Sequence, residues 1–120
     1  MPRKLPPEPR KPLSLPVIHI LLALAEGGRH GYAIKQDVQE RTGGAIRLGP
    51  GTLYEAIQRL LDGRLIEQTS GVDAENGQQA QRRYYALTPE GWAVLKDEIH
   101  RLGAIVDRAR THPKLRKGLA

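Results

Sequence analysis

The 120-residue sequence has no cysteine and no phenylalanine, and aromatic residues make up only 4% of it. Without cysteine the chain has no disulfide, no thiol nucleophile and no cysteine-ligated zinc ion. The histidines do not show the spacing of metal ligands either. They are His19, His30, His100 and His112. We therefore expect neither a metal nor a cofactor.

We expect neither a membrane-spanning segment nor an export signal. The longest apolar run, residues 13–25, includes His19 and is too short to cross a bilayer. Residues 1–12 are basic and rich in proline, and no small-residue cleavage site follows the apolar run. We expect a cytoplasmic protein with no membrane partner, with room for one domain with or without an extension.

No arrangement typical of a catalytic site is visible. The sequence offers no nucleophile with a nearby base and no carboxylate pair. Gly49, Pro50 and Gly51 lack the lysine and the length of a phosphate-binding loop. We expect a binding protein rather than an enzyme.

The net charge of +6 is distributed unevenly along the chain. Residues 1–12 carry +3 and residues 108–120 carry +5, so residues 13–107 carry −2. A nucleic-acid-binding surface would therefore depend on local basic clusters and on the two ends. Residues 1–12 are predicted to be either a disordered leader or a basic arm that contacts phosphates or a partner.

Two helices are predicted before residue 43. The first begins after Ser14 and ends near Glu26, and residues 32–42 form the second. The first is apolar on nearly every side, and such a helix has to be covered on more than one side. We therefore expect a second subunit to pack against it, at Leu21 among other positions.

The third predicted helix, residues 50–62, has two different faces. Its apolar residues recur at three- and four-residue steps and should face a core. They are Leu53, Ile57, Leu60 and Leu61. The opposite face carries Gly51, Thr52, Glu55, Gln58 and Arg59. A helix of this kind suits DNA reading, although many ordinary surface helices have the same pattern.

Three strands and a last helix complete the prediction. Residues 46–48 alternate as a short strand would, and residues 65–69 and 82–87 form a hairpin around the polar loop 70–81. Thr88 and Pro89 begin a helix that continues to about Arg110.

The last helix carries a regular apolar stripe with alternating steps of three and four residues, which is a heptad seam. The stripe consists of Trp92, Leu95, Ile99, Leu102, Val106 and Ala109. A helix this long extends beyond a small domain, so we expect an identical chain to pack against it. Trp92 is expected to pack near that interface rather than to bind a ligand.

This order of elements predicts a mainly α fold with a small β-hairpin (α+β), in which a winged helix-turn-helix precedes a C-terminal dimerisation helix. The motif residues then resemble the PadR family of transcriptional regulators. They are Gly31, Tyr32 and Ile34; Gly51 to Tyr54; Leu60, Leu65 and Ile66; and Arg83 to Gly91. The resemblance covers residues 15–95.

The resemblance implies a homodimer that binds a palindromic operator, usually as a repressor and often released by a small-molecule effector. A single C-terminal helix resembles the shorter PadR branch. The chain divides into a basic arm (1–12), a winged-helix domain (13–88), a dimerisation helix (89–110) and a basic tail (111–120). Two residues depart from the family pattern: Glu55 stands where proline is frequent, and Arg64 where glycine is usual.

The DNA-contacting residues follow from this scheme. On the polar face of the third helix we expect Gly51 to lie at the DNA surface, and Thr52, Gln58 and Arg59 to contact base edges. Tyr32, Lys35 and Tyr54 should contact phosphates, the two tyrosines because they match the motif. Arg82 and Arg83 should reach the minor groove or its backbone. Alternatively, Tyr54 is an aromatic at the core edge and Arg83 a solvated strand residue. The alternative function is a winged-helix module for protein–protein contact.

Overall fold

The computed structural model describes residues 11–69 and 83–119. Four helices and a small antiparallel sheet form one α+β unit, as predicted. The elements are α1 (Leu15–Ala25), β1 (Arg29–His30), α2 (Gly31–Arg41), α3 (Pro50–Asp62), β2 (Ile66–Thr69), β3 (Tyr84–Leu87) and α4 (Pro89–Arg110). The N-terminal arm up to residue 10, the loop 70–81 and Arg82 lie outside the described residues.

Helix α1 is the centre of the core. The Ser14 side chain accepts a hydrogen bond from the Val17 N–H, and Pro16 needs no hydrogen-bond partner in the first turn. The apolar surface of α1 is covered by α2, α4 and β3 of the same chain. Leu21 is 0% exposed, so the expectation that it contacts a second subunit is wrong. Leu15 and Leu22 are the large apolar side chains that α1 leaves exposed.

The sheet has the strand order β1-β3-β2, with both pairs antiparallel. The β2–β3 hairpin pairs Ile66 with Leu87 and Thr69 with Tyr84, and β1 pairs with the other edge of β3.

The predicted strand at 46–48 is wrong. The edge of β3 that it would need is occupied by β1, and Gly43 and Gly44 at positive φ turn the chain out of α2. The Thr42 hydroxyl oxygen accepts a hydrogen bond from the Ile46 N–H, and Leu48 is buried in the core.

Helix α3 has the two faces that the sequence predicts. Leu53, Ile57 and Leu60 are buried. At its C-terminus the Leu65 N–H donates to the Leu60 carbonyl and the Arg64 N–H to the Leu61 carbonyl. This pair of hydrogen bonds requires a left-handed backbone conformation at position 64, and Arg64 has φ 59°.

A tight junction joins the end of α3 to the start of α4. The Thr88 hydroxyl donates to the Arg64 carbonyl oxygen at 2.6 Å and accepts from the Gly91 N–H at 3.0 Å. The Thr88 N–H donates to the Leu65 carbonyl oxygen at 3.1 Å. Gly91 packs so closely on the Leu65 backbone that a Cβ at Gly91 would overlap the carbonyl oxygen.

Helix α4 has two neighbouring apolar faces, which the predicted heptad seam combines into one. One face packs on the chain's own core through Val94 and Leu95. Leu95 is 4% exposed, so its assignment to a dimer interface is wrong. Leu102 is partly buried against the same core, as is typical of the margin between the two faces. The exposed face carries Trp92, Ile99 and Val106, with exposures of 42%, 41% and 40%.

The same helix buries one carboxylate. Glu98 is 2% exposed, and it accepts a hydrogen bond from Arg101 at 2.8 Å. Beyond α4, residues 111–119 form a series of turns. No helix in the described parts of the chain is long and apolar enough to span a membrane.

Candidate nucleic-acid interface

The outer face of α3 carries the densest group of predicted contact residues. Its buried leucine and isoleucine side chains fix the helix, and the polar side chains on the other side are all exposed. They are Thr52, Glu55, Gln58 and Arg59. A hydroxyl, a carboxylate, an amide and a guanidinium together provide both the donors and the acceptors that base edges in a major groove require.

Side-chain pairs within α3 hold these groups only weakly. The Arg59 guanidinium lies 3.7 Å from the Glu55 carboxylate, and the Gln58 amide donates to Asp62 at 2.9 Å. Exposed pairs of this kind contribute about 0–1 kcal/mol, so their side chains can exchange these contacts for contacts with a ligand.

The start of α2 lies against the start of α3. The Tyr54 ring of α3 packs on Gly31, where a Cβ would lie 2.8 Å from the Tyr54 hydroxyl oxygen. Tyr54 nevertheless remains 52% exposed, so it both joins the two helices and presents surface to solvent. Tyr32, 58% exposed, and the partly exposed Lys35 lie on the adjoining turns of α2. The Tyr32 hydroxyl accepts a hydrogen bond from Gln36 at 3.2 Å.

The start of β3 belongs to the same region. Burial raises the pKa of the Tyr85 phenol, the nearby Tyr54 adds to that increase, and Arg83 opposes it. Tyr54 and the exposed Arg83 therefore lie within electrostatic range of one buried group. Of the predicted residues, Tyr54 and Arg83 thus both act on the buried Tyr85 phenol. Arg82 cannot be placed with them, since it lies outside the described residues.

Two arginines near this region are engaged in ion pairs. Glu26 at the end of α1 accepts from Arg29 at 3.0 Å and from Arg41 at 2.7 Å. Arg41 also donates to Asp37 at 3.0 Å. The hydrogen bond and charge of Asp37, followed by the charge of Glu26, raise the pKa of Arg41. These charges tie α1 to α2, and the interface must rely on other cations.

Sequence reasoning missed the role of His30. Its side chain accepts a hydrogen bond from the Ala33 N–H at 3.2 Å and so caps α2, and its ring meets Tyr84 edge-on at 5.4 Å. The available signal was a polar residue directly before Gly31, where a helix cap is expected. Within residues 11–69 and 83–119, no three acidic or histidine side chains cluster as they would around a metal ion.

Comparisons with known proteins agree with this architecture. A family model described as the transcriptional regulator PadR-like family matches residues 20–97. A transcriptional regulator of Mycobacterium tuberculosis is 34% identical over 82 residues, which are 68% of this chain and 69% of that protein. A 37.1 kDa protein of a Streptomyces fradiae transposon is 38% identical over 89 residues, or 74% of this chain. This chain spans only 23% of that larger protein.

A solved structure supports the same assignment. A PadR family transcription regulator from Clostridium difficile R20291 superposes with a TM-score of 0.67 at 26% identity. The match covers 82% of this chain and 97% of that one. The chain therefore belongs to the PadR-like family of transcriptional regulators.

Proposed function

We propose that this regulator is a homodimeric repressor that binds a palindromic DNA operator and is released by a small-molecule effector. The observation that carries the proposal is the polar outer face of α3. The opposite face of the helix is buried in the core through Leu53, Ile57 and Leu60, which fixes its orientation. Such a helix presents base-reading groups in a fixed direction. The proposed action is binding without catalysis, in the cytoplasm.

The contacts divide between specificity and positioning. Thr52, Gln58 and Arg59 contact base edges in the major groove. Tyr32, Lys35 and Tyr54 contact phosphates, and Arg82 and Arg83, which precede β3 in the chain, reach the adjacent minor groove or its backbone. The start of α3 at Gly51 lacks a side chain, and within the structure nothing lies within 4 Å of the Cβ position there, so the DNA backbone can approach closely.

The exposed face of α4 supports the dimer. Trp92, Ile99 and Val106 lie seven residues apart and leave about two-fifths of each side chain exposed. A second copy of the same helix would cover this stripe, with Leu102 and Ala109 at its margin. A twofold axis through such an interface repeats the reading helix, which is why we expect a palindromic operator.

Selection of bound sequences from a random DNA pool tests the proposal directly. The selected sites should be palindromic, with half-sites separated by about one helical turn, roughly 10 bp. If six to eight phosphates are contacted per dimer, the slope of log K against log salt should be about −5 to −7. A slope near zero with no enriched sequence would contradict DNA binding and favour the protein–protein module.

Matched arginine variants separate reading from general charge. Arg59→Ala on α3 should weaken binding to the selected site by on the order of tenfold, since a bidentate base contact is worth about 1–3 kcal/mol. Arg108→Ala removes another exposed arginine, on α4 opposite the exposed apolar stripe, and should weaken binding to the selected site much less than Arg59→Ala does. Equal losses in the two variants would show that only net charge matters.

The effector and the direction of regulation need separate tests. The exposed stripe has no aromatic side chain near its middle on which a planar molecule could stack. We therefore expect an effector that is not a flat aromatic molecule. A thermal-shift screen in which planar dyes stabilise the protein strongly would contradict that expectation. A reporter gene placed behind the selected operator should be transcribed less when the protein is present, and more transcription would exclude a repressor.

A further inference from the structure

We propose that Glu55 sets part of the DNA specificity by accepting a hydrogen bond from the amino group of a cytosine in each half-site. This inference rests on the proposed DNA-binding function and concerns the same face of α3. The residue lies one turn beyond Thr52 and one turn before Arg59, and its side chain is 72% exposed. It therefore lies in the first half of α3, the part of a reading helix that meets base edges.

The chemistry of a carboxylate restricts what Glu55 can read. An ionised carboxylate only accepts hydrogen bonds, and in the major groove the pairing typical of glutamate is with the amino group of cytosine. Guanine presents only acceptors there and would repel it. Phosphates would repel it as well, so a glutamate at this position is unfavourable unless a donor on a base faces it.

The neighbouring Arg59 partly offsets the negative charge of Glu55 and can contact a second base. Its guanidinium lies 3.7 Å from the Glu55 carboxylate, which is longer than a normal hydrogen bond, and both side chains are mostly exposed. The pair is thus close enough to reduce the repulsion between Glu55 and the DNA, but it does not lock either group. Arginine is the usual partner of guanine O6 and N7.

The spacing of the two residues predicts a local sequence. Four residues of helix rise about 6 Å, and successive base pairs rise about 3.4 Å. The cytosine read by Glu55 and the guanine read by Arg59 should therefore lie within about two base pairs of each other in every half-site.

Selection from a random DNA pool with wild type, Glu55→Ala and Glu55→Gln tests the inference. Wild type should enrich a cytosine at one position of each half-site, and changing that C·G pair to T·A should weaken binding by on the order of tenfold. In Glu55→Ala the preference at that position should be lost, while the symmetry and the other positions persist. In Glu55→Gln the preference should move to adenine, which glutamine pairs with.

The controls separate this inference from the function on which it rests. Glu40→Ala removes an exposed glutamate from α2 and should leave the selected sequence unchanged. If Glu55→Ala binds every sequence more tightly by the same factor with an unaltered preference, Glu55 is only a repulsive charge and the inference is overturned. If wild type itself selects no sequence, the proposed function fails first. Thermal unfolding of each variant at the wild-type temperature would show that the fold is intact.

Discussion

Arg64 occupies a backbone conformation that glycine would adopt with less strain. It follows the C-cap of α3 and has φ 59°, and two hydrogen bonds from residues 64 and 65 to the last turn hold it there. A left-handed residue with a Cβ costs roughly 1–2 kcal/mol. Glycine avoids that cost but loses up to about 1 kcal/mol of additional backbone entropy on folding. We therefore expect Arg64→Gly to increase the free energy of unfolding by about 1 kcal/mol.

The comparison that isolates the backbone is Arg64→Gly against Arg64→Ala. Both remove the long side chain, and they differ only by the Cβ. Thermal unfolding at a fixed protein concentration should give the glycine variant a Tm about 5 °C above that of the alanine variant. At an ordinary position within a helix the alanine variant would be the more stable one, because alanine favours the helix by about 1 kcal/mol over glycine. Equal stability, or a more stable alanine variant, would refute the strain at position 64.

Three further predictions concern the rest of the chain. In urea titrations, Gly91→Ala should destabilise the protein by several kcal/mol, since the new Cβ would overlap the Leu65 carbonyl oxygen. Gly103→Ala is the matched control, because no atom lies within 4 Å of a Cβ added there, and it should be neutral or stabilising by up to about 1 kcal/mol. The pKa of Tyr85 is raised by burial, so its contribution to stability is complete below about pH 10 and is lost as pH rises through the folded-state pKa. Tyr85→Phe should remove that alkaline loss of stability, and an unchanged slope of stability with pH would contradict it. Ile99→Asp should dissociate the proposed dimer without unfolding the chain, because Ile99 is 41% exposed in a single subunit; sedimentation that still gives a dimer would place the interface elsewhere.

Local chemical signals made most of the fold predictable. Pro50 and Pro89 mark helix starts, and the leucine steps of α3 identify its buried face, so these elements follow from residues a few positions apart. The wing hairpin follows from its β-forming residues in the same way.

The errors concern contacts between distant residues. The alternation at 46–48 carries no information about whether a partner edge is free, and β1, 16 or more positions earlier in the chain, takes that edge. Leu21 and Leu95 are apolar in the same way as Ile99, and the sequence does not tell which apolar surface the chain covers itself. The left-handed backbone at Arg64 was visible only as a departure from the family's glycine, without its physical reason.

For the candidate site, the sequence predicted which side of α3 is exposed but not how that side is supported. The packing of Tyr54 on Gly31 and the contact of His30 with Tyr84 depend on how closely α2 approaches α3 and β3. The ion pairs that engage Arg29 and Arg41 also join residues distant in sequence, and they reduce the cations available to the interface.

The junction of Thr88 with residues 64 and 65 has a mechanical consequence. Because the end of α3 and the start of α4 share these hydrogen bonds, we expect a displacement of α4 to be transmitted to α3 through residue 88. Helix α4 has 22 residues and is roughly 33 Å long, so tilting the helix by about 5° displaces its far end by about 3 Å. In the proposed dimer, a molecule that wedges apart the far ends of the two α4 helices would rotate both reading helices against the DNA. Because Val94 and Leu95 of α4 pack on the core, such a rotation would also shift the contacts of α4 with the core.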